Sequence, residues 1–383
     1  MSVYESDLSR LVDELNRSTP GLKSDTRTSI DTLLGQAAEQ NASDVILIAG
    51  SPITLRVNGS LAPATGKALS PEDLRNLLLP LLTPEQTKEL ETNRALDFCF
   101  VRGSTGRFRA NFHYQRGTLA ASIRLLPAQI PTIESLNLPP VLARLTERRQ
   151  GLILLTGPTG CGKTSTMAAL IDRINARRHD HIITIEDPIE YQHANRSSIV
   201  EQIEVGHDTP RFAHAVRAVL RQNPDVILVG EMRDSETIAA ALTAAETGHL
   251  VLSSLHTNDA AQTMSRILDC FPESNQSQIR QQLSLALLAV IAQQLVPAVN
   301  NVGRYPAVEI MMATPAMRNL IRTGQDHQIR AHISTNRAEG MMTMEQSLAE
   351  LVRSGRIQRD TAFAHCYHAG DLRRHLDDPV PVH

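Results

Sequence analysis

Eight consecutive residues, Gly157-Pro158-Thr159-Gly160-Cys161-Gly162-Lys163-Thr164, carry the spacing G-x-x-x-x-G-K-[ST]. This pattern turns successive backbone N–H groups towards one anion, and the helix that follows adds its positive end. Lys163 can reach the outer phosphates of a nucleotide, and the Thr164 hydroxyl can bind Mg²⁺. Three further polar groups stand where apolar runs end. Ile182-Ile183-Thr184-Ile185 delivers Glu186 and Asp187, with Glu190 close behind. Two adjacent carboxylates beside a phosphate site call for positive charge, with Mg²⁺ the natural partner, unless the turn is merely solvated. Val226-Ile227-Leu228-Val229-Gly230 delivers Glu231, suited to orient and deprotonate an attacking water. The alternative role for Glu231 is capping the next helix. Leu250 to Ser254 is flanked by His249 and His256. His256 could report on a terminal phosphate through a hydrogen bond or be a structural histidine. Arg217 and Arg221, four apart, read as one face of a helix. Arg107, Arg109, Arg116 and Arg124 lie on strand-like segments nearer the N-terminus.

The elements that must position these groups are legible as patterns. Gly151 to Thr156 reads as a buried strand feeding the loop, and Thr166 to Ile174 as an amphipathic helix leaving it. Strands are expected at Gly151–Thr156, His181–Glu186, Val226–Val229 and Leu250–Ser254. The alternation with helices predicts a parallel sheet covered on both faces, whose ligands bind at the carboxyl ends of the strands. Before this, Ile30, Leu33, Leu34 and Ala37 recur at helical spacing. Val45–Ile48 and Ile53–Val57 read as strands, and Asn58-Gly59 as a hairpin turn. Ser70-Pro71-Glu72-Asp73 opens a helix expected to run through Leu82, and Thr83-Pro84-Glu85 opens another. Strands are expected at Ala95–Val101, Gly106–Gln115 and Thr118–Leu126. The fold class is therefore α/β, a nucleotide-binding domain preceded by a smaller α+β domain. The boundaries read from the chain are an N-terminal extension over 1–28 with a short amphipathic stretch, a first domain over 29–127, a linker over 128–140 containing Pro131, Pro139 and Pro140, a second domain over 141–370, and a tail over 371–383.

Composition narrows the function. The 383 residues are 42% hydrophobic and 21% charged, enough for two ordinary domains. A formal net charge of −3 and 3% aromatic residues argue against a nucleic-acid partner. The four cysteines, Cys99, Cys161, Cys270 and Cys366, are scattered, which disfavours a disulfide framework and a four-cysteine zinc module and suits a reducing compartment. The longest apolar stretch, Leu283 to Val296, is interrupted by Ser284, Gln293 and Gln294 and is too short to span a bilayer.

Taken together, ASDVILIAG (42–50), RFRANFHYQRG (107–117), GPTGCGKTSTMAAL (157–170), ITIEDPIEY (183–191), VLRQNPDVILVGEMRDSETI (219–238), TAAETGHLVLSSLHTNDA (243–260) and ATPAMRNLIR (313–322) resemble the secretion ATPase superfamily, on the side of the PilT-type retraction motors of type IV pili. The similarity runs from about Ile30 to about Gly370. The AMRNLIR segment resembles the retraction motors' own C-terminal signature. Cys161 replaces the usual serine, and Lys163 is followed by Thr-Ser rather than Ser-Thr.

The resemblance implies a PAS-like first domain, a RecA-like P-loop ATPase domain and a homohexameric ring. It implies ATP on Gly157, Pro158, Thr159, Gly160, Cys161, Gly162, Lys163, Thr164 and Ser165, Mg²⁺ at Thr164 and Glu186, and Glu231 as the catalytic glutamate. It also implies His256 as the histidine-box residue, with His249 beside it, and Arg109, Arg124, Arg217 and Arg221 as arginines closing the ATP site. The expected function is ATP hydrolysis driving pilus retraction and twitching motility. The platform would be an inner-membrane protein, other pilus ATPases could be partners, and the location would be the cytoplasmic face of the inner membrane. Alternatives are an accessory retraction, assembly or type II secretion ATPase and, in a different class, a RecA-like nucleic-acid translocase.

Overall fold

The computed structural model describes residues 29–57, 59–103, 106–300 and 303–377. The amphipathic stretch near the N-terminus and the asparagine of the expected Asn58-Gly59 turn lie outside these residues. The chain divides into two compact units at Leu125/Leu126.

The first unit contains helices α1 (Ile30–Glu39), α2 (Pro71–Leu78) and α3 (Pro84–Asn93) and strands β1 (Ala42–Leu47), β2 (Pro52–Val57), β3 (Ser60–Ala68), β4 (Ala95–Arg102), β5 (Gly106–Gln115) and β6 (Thr118–Leu125). Its sheet has the order β3-β2-β1-β6-β5-β4, and every neighbouring pair is antiparallel. The helix starts follow their sequence cues. Ser70 and Asp73 form a reciprocal capping box, as do Thr83 and Gln86, each with proline in the first turn. The helix begun at Pro71 is shorter than expected. It gives way at Leu79 to a single 3₁₀ turn, Leu79–Leu81, because Pro80 has no N–H to continue the α-helical ladder. One face of the sheet buries Val45, Leu47, Leu55, Phe108, Phe112 and Ile123 against Leu33, Leu34, Leu74 and Leu78 of the helices.

The second unit contains α4 (Val141–Leu145), β7 (Gly151–Thr156), α5 (Lys163–Arg177), β8 (His181–Glu186), β9 (Ile199–Glu204), α6 (Phe212–Val219), β10 (Val226–Val229), α7 (Ser235–Glu246), β11 (Leu250–Leu255), α8 (Ala260–Leu268), α9 (Glu273–Ala286), β12 (Leu287–Pro297), β13 (Arg304–Met312), α10 (Pro315–Thr323), α11 (Ile329–Thr335), α12 (Met344–Arg353), α13 (Arg359–His365) and α14 (Ala369–Asp377). The sheet order is β13-β12-β7-β11-β10-β8-β9. Strands β12 through β9 run parallel, but β13 pairs antiparallel with β12. The sheet is therefore mixed rather than wholly parallel. The apolar run at 283–296 explains the difference, because from Leu287 onwards it folds as β12, and the chain then turns back as the hairpin strand β13. Alternation along β7 sends Leu152 and Leu154 to one apolar layer and Ile153 and Leu155 to the other. The strands are thus buried on both faces, as their unbroken apolar sequences require.

Two segments read as connectors are integral to this unit. Ile133 and Leu138, in the proline-rich stretch, are buried with Leu142 and Leu170. The expected tail from Asp371 is helix as far as Asp377. Leu372 is fully buried beside Leu348 and Ala349, and Asp371 pairs with Arg330.

Candidate nucleotide site

Four strand tips meet at one edge of the second sheet because β7, β11, β10 and β8 are consecutive and parallel. Their last residues lead to the phosphate loop, His256, Glu231 and Glu186 respectively. This juxtaposition is the topological reason that segments scattered over 100 residues of sequence can share a site.

The loop from Gly157 to Gly162 has positive φ at Gly157, Gly160 and Gly162. Pro158, Thr159 and Gly160 are exposed, while Cys161 and Lys163 are buried. The Lys163 ammonium donates to the carbonyls of Gly157 at 2.8 Å and Pro158 at 3.2 Å, and lies 4.0 Å from the Cys161 Sγ. Burial pushes the Lys163 pKa down, against the pull of Cys161 and Glu231, and pushes the Cys161 thiol up. A buried ammonium held over two carbonyls gains from a phosphate, which brings the negative charge that burial leaves it short of. Ser165, one turn into α5, shares a 2.8 Å hydrogen bond with the Tyr191 hydroxyl, a contact that joins the helix to the acidic segment.

Of the adjacent carboxylates, only Glu186 turns inwards; Asp187 is exposed. Glu186 Oε1 accepts from Thr184 Oγ1 at 2.7 Å and from Gln202 Nε2 at 3.1 Å. Burial raises its pKa, and Glu190 adds to the rise, while the bonds from Thr184 and Gln202 resist it. A deep carboxylate with raised affinity for positive charge is suited to stand behind a metal–phosphate complex. Among the described residues no three or more His, Cys, Asp or Glu side chains gather as a metal cage. Glu186 and the Thr164 hydroxyl are oxygen donors of the sparse kind that Mg²⁺ carried on phosphate oxygens would take from a protein.

Glu231 is not a helix cap. The N-cap of α7 is Asp234, whose carboxylate accepts from Thr237 N at 2.8 Å. Glu231 instead has Arg233 Nε at 2.6 Å and His256 Nε2 at 3.5 Å. Its neighbour Gly230 sits tight against β8, donating to Ile185 O at 2.8 Å, and a Cβ there would come within 3.2 Å of that same oxygen. The Ser254 hydroxyl holds Gly230 O at 2.7 Å, which fixes the peptide preceding Glu231. His249 is at the opposite end of β11, with Nδ1 2.9 Å from Ala244 O, and does not join this group.

The arginines divide. Arg217 pairs with Glu236 at 2.6 Å on the surface. Arg221 lies beyond the last turn of α6, which ends at Val219 with Leu220 as C-cap, so the two do not share a helix face as their spacing suggests. Arg109 and Arg124 are cross-strand partners on β5 and β6 of the first unit, where Arg124 Nε contacts Asp44 at 3.0 Å. Sequence reading missed Arg233, Gln202 and Gln293. Gln202 lies on the polar edge strand β9, whose mixed pattern gave no strand signal.

Residues 132–364 match the family described as Type II/IV secretion system protein. The chain belongs to that family. Over 333 residues it is 42% identical to the type IV pilus retraction ATPase PilT of Pseudomonas aeruginosa, covering 87% of this chain and 96% of that protein. It is 40% identical over 343 residues to the type IV pilus ATPase PilU of the same organism, covering 90% of each. The solved structure of the pilus retraction motor PilT with bound ADP superposes with a TM-score of 0.84 at 44% identity, covering 90% of this chain and 99% of that one. Within the Type II/IV secretion family the chain is thus a PilT-type ATPase.

Proposed function

We propose that this chain hydrolyses ATP as the motor for type IV pilus retraction. The observation that carries the hydrolytic part is the environment of Glu231. It is freed from capping by Asp234, held at the strand tip next to the phosphate loop, and within reach of Lys163's field. Glu231 would take the proton of the attacking water. Lys163 and the backbone N–H groups of the loop, Gly157 and Thr159 through Thr164, would carry the charge of the phosphates, with Ser165 steadied by Tyr191. Thr164 would hold Mg²⁺, with Glu186 behind it, and the metal would neutralise charge on the phosphate oxygens. His256, with Nε2 3.5 Å from the Glu231 carboxylate, would sense the charge of Glu231 and of the terminal phosphate.

The rest of the reading is an assembled machine. Arg109 and Arg124, with Arg217 and Arg221, would deliver positive charge to ATP when six copies form a ring. Bending at the junction of the two units, around Leu125 and Leu126, would turn hydrolysis into movement of a membrane platform protein at the cytoplasmic face of the inner membrane. No described helix is long and apolar enough to cross a membrane. The near-equal identity to PilT and PilU favours a second reading, that of an accessory retraction ATPase acting beside another pilus ATPase.

The test is phosphate release across a protein-concentration series, for wild type and Arg124→Ala, with and without DNA. A rate per subunit that rises with concentration, falls in Arg124→Ala and ignores DNA supports the ring motor. A rate independent of concentration contradicts the ring, and a requirement for DNA points to a translocase. Expression in a piliated strain lacking its retraction ATPase separates the two pilus readings: the main motor restores twitching alone, the accessory one only beside a second ATPase.

A further inference from the structure

The phosphate loop is held by a residue outside every motif so far described. Gln293, on β12, is 4% exposed. Its amide nitrogen donates to the carbonyl of Cys161 at 2.6 Å, and its amide oxygen accepts from Thr166 Oγ1 at 2.9 Å. Thr166 is fully buried in the first turn of α5. One side chain therefore ties the end of the loop to the start of its helix. The same residue shapes the loop sterically. A Cβ at Gly157 would lie 2.2 Å from the Gln293 carbonyl oxygen, and one at Gly162 would lie 2.9 Å from Gln293 Nε2. Both glycines also have positive φ. Gly157 is thus required partly by the main chain at Gln293, not only by the anion the loop wraps.

The consequence follows from peptide geometry. The bond between Cys161 and Gly162 is planar and trans, so its C=O and N–H point in opposite directions. Drawing the Cys161 carbonyl towards β12 turns the Gly162 N–H away from β12, towards the hollow of the loop. We infer that Gln293 is a positioning residue for nucleotide binding, which pre-sets the Gly162 N–H as a phosphate donor by fixing the peptide behind it. It touches no reacting atom. An amide is needed for this: one end must donate to a carbonyl and the other accept from a hydroxyl, and both are buried where water cannot substitute. The inference rests on the loop's holding a nucleotide phosphate.

The test compares ADP affinity and apo melting temperature for wild type, Gln293→Glu, Gln293→Met and Thr166→Val. The carboxylate of Gln293→Glu keeps the acceptor for Thr166 but loses the donor to Cys161. Gln293→Met keeps the volume and loses both bonds. The expected result is ADP binding weakened about tenfold in both Gln293 variants, with a smaller loss in Thr166→Val, since the Cys161 bond survives there. In hydrolysis assays KM for ATP should rise more than kcat falls, because a mispositioned donor acts on the bound phosphates before the chemical step. Wild-type ADP affinity and KM in Gln293→Glu and Gln293→Met would overturn the inference, as would a fall in kcat at unchanged KM. If neither Gln293 variant folds, Thr166→Val decides: weakened ADP binding supports the assignment and unchanged binding refutes it. Wild-type protein that bound no ADP would refute the nucleotide reading itself, and this inference with it.

Discussion

At the scale of single residues, the site is a set of charges whose environments pull them apart. Lys163 is buried and short of negative charge, while Glu186 is buried and short of positive charge. Lys163→Ala should therefore abolish ATP binding as well as turnover, measured by calorimetry and phosphate release. Glu186 gives a pH prediction with a defined sign. Its folded pKa lies above the usual glutamate value, so the acid side of the kcat/KM profile should fall off at higher pH than an ordinary glutamate would produce. The bond from Gln202 Nε2 resists that rise, so Gln202→Leu should move the acid limb upwards again. A profile unmoved by Gln202→Leu would separate Glu186 from the rate. The surface pair Arg217–Glu236 should matter little to stability, within about 1 kcal/mol, because both partners are substantially exposed. A large loss of turnover in Arg217→Ala without a change in melting would thus mark a role in assembly or catalysis.

At the scale of elements, the parts that carry the phosphates were legible because each is a run of one periodicity ended by a polar residue. Strands β7, β8 and β10 span the residues expected from their apolar runs, and β11 extends one residue further, to Leu255. The parts that escaped have competing patterns. Strand β9, on a sheet edge, follows Ile199-Val200 with Glu201-Gln202 and so breaks the period-2 alternation, and Leu283–Val296 hides a helix-to-strand change inside one hydrophobic stretch. Gln293 looks from sequence like an interruption of that stretch; only the neighbouring strand reveals its partners. Most of helix α14 lies past Gly370, where the resemblance to the family ends, so no sequence cue marks its packing. Its apolar anchor, Leu372, is nonetheless completely buried. Leu372→Ala should cost about 2–5 kcal/mol of stability, seen as a lower denaturant midpoint. In the AMRNLIR segment, Met317 and Ile321 are buried, and Arg318 donates to the carbonyls of Ala313 at 3.0 Å and Ser284 at 2.7 Å. Arg318→Ala should therefore destabilise the unit, whereas Asn319→Ala and Arg322→Ala, at exposed positions, should leave folding intact.

At the scale of the whole molecule, strand β13, helix α8 and the C-terminal helices meet around buried charge. Glu309 on β13 accepts from Ala260 N, the first residue of α8, at 2.9 Å. Burial raises its pKa to about 7, with Asp259 and Glu345 adding to the rise and Arg330 opposing it. The folded form therefore binds the Glu309 proton more tightly than the unfolded chain, whose glutamate keeps its value near 4.5. The stability this contributes is fully present below about pH 4.5 and is lost as pH rises through about 7. Glu309→Gln, which keeps an acceptor for Ala260, should melt higher than wild type at pH 8, with the advantage shrinking towards pH 5. An equal difference at both pH values would contradict the buried-carboxyl account.

The four strand tips form one hydrolytic site with Glu231 at its reacting end if phosphate release and ATP affinity part company in Glu231→Gln. Measured side by side with wild type, Glu231→Gln should bind ATP within a few-fold of wild type and release phosphate about 10²–10⁴ times more slowly. Wild-type turnover in Glu231→Gln would contradict that assignment.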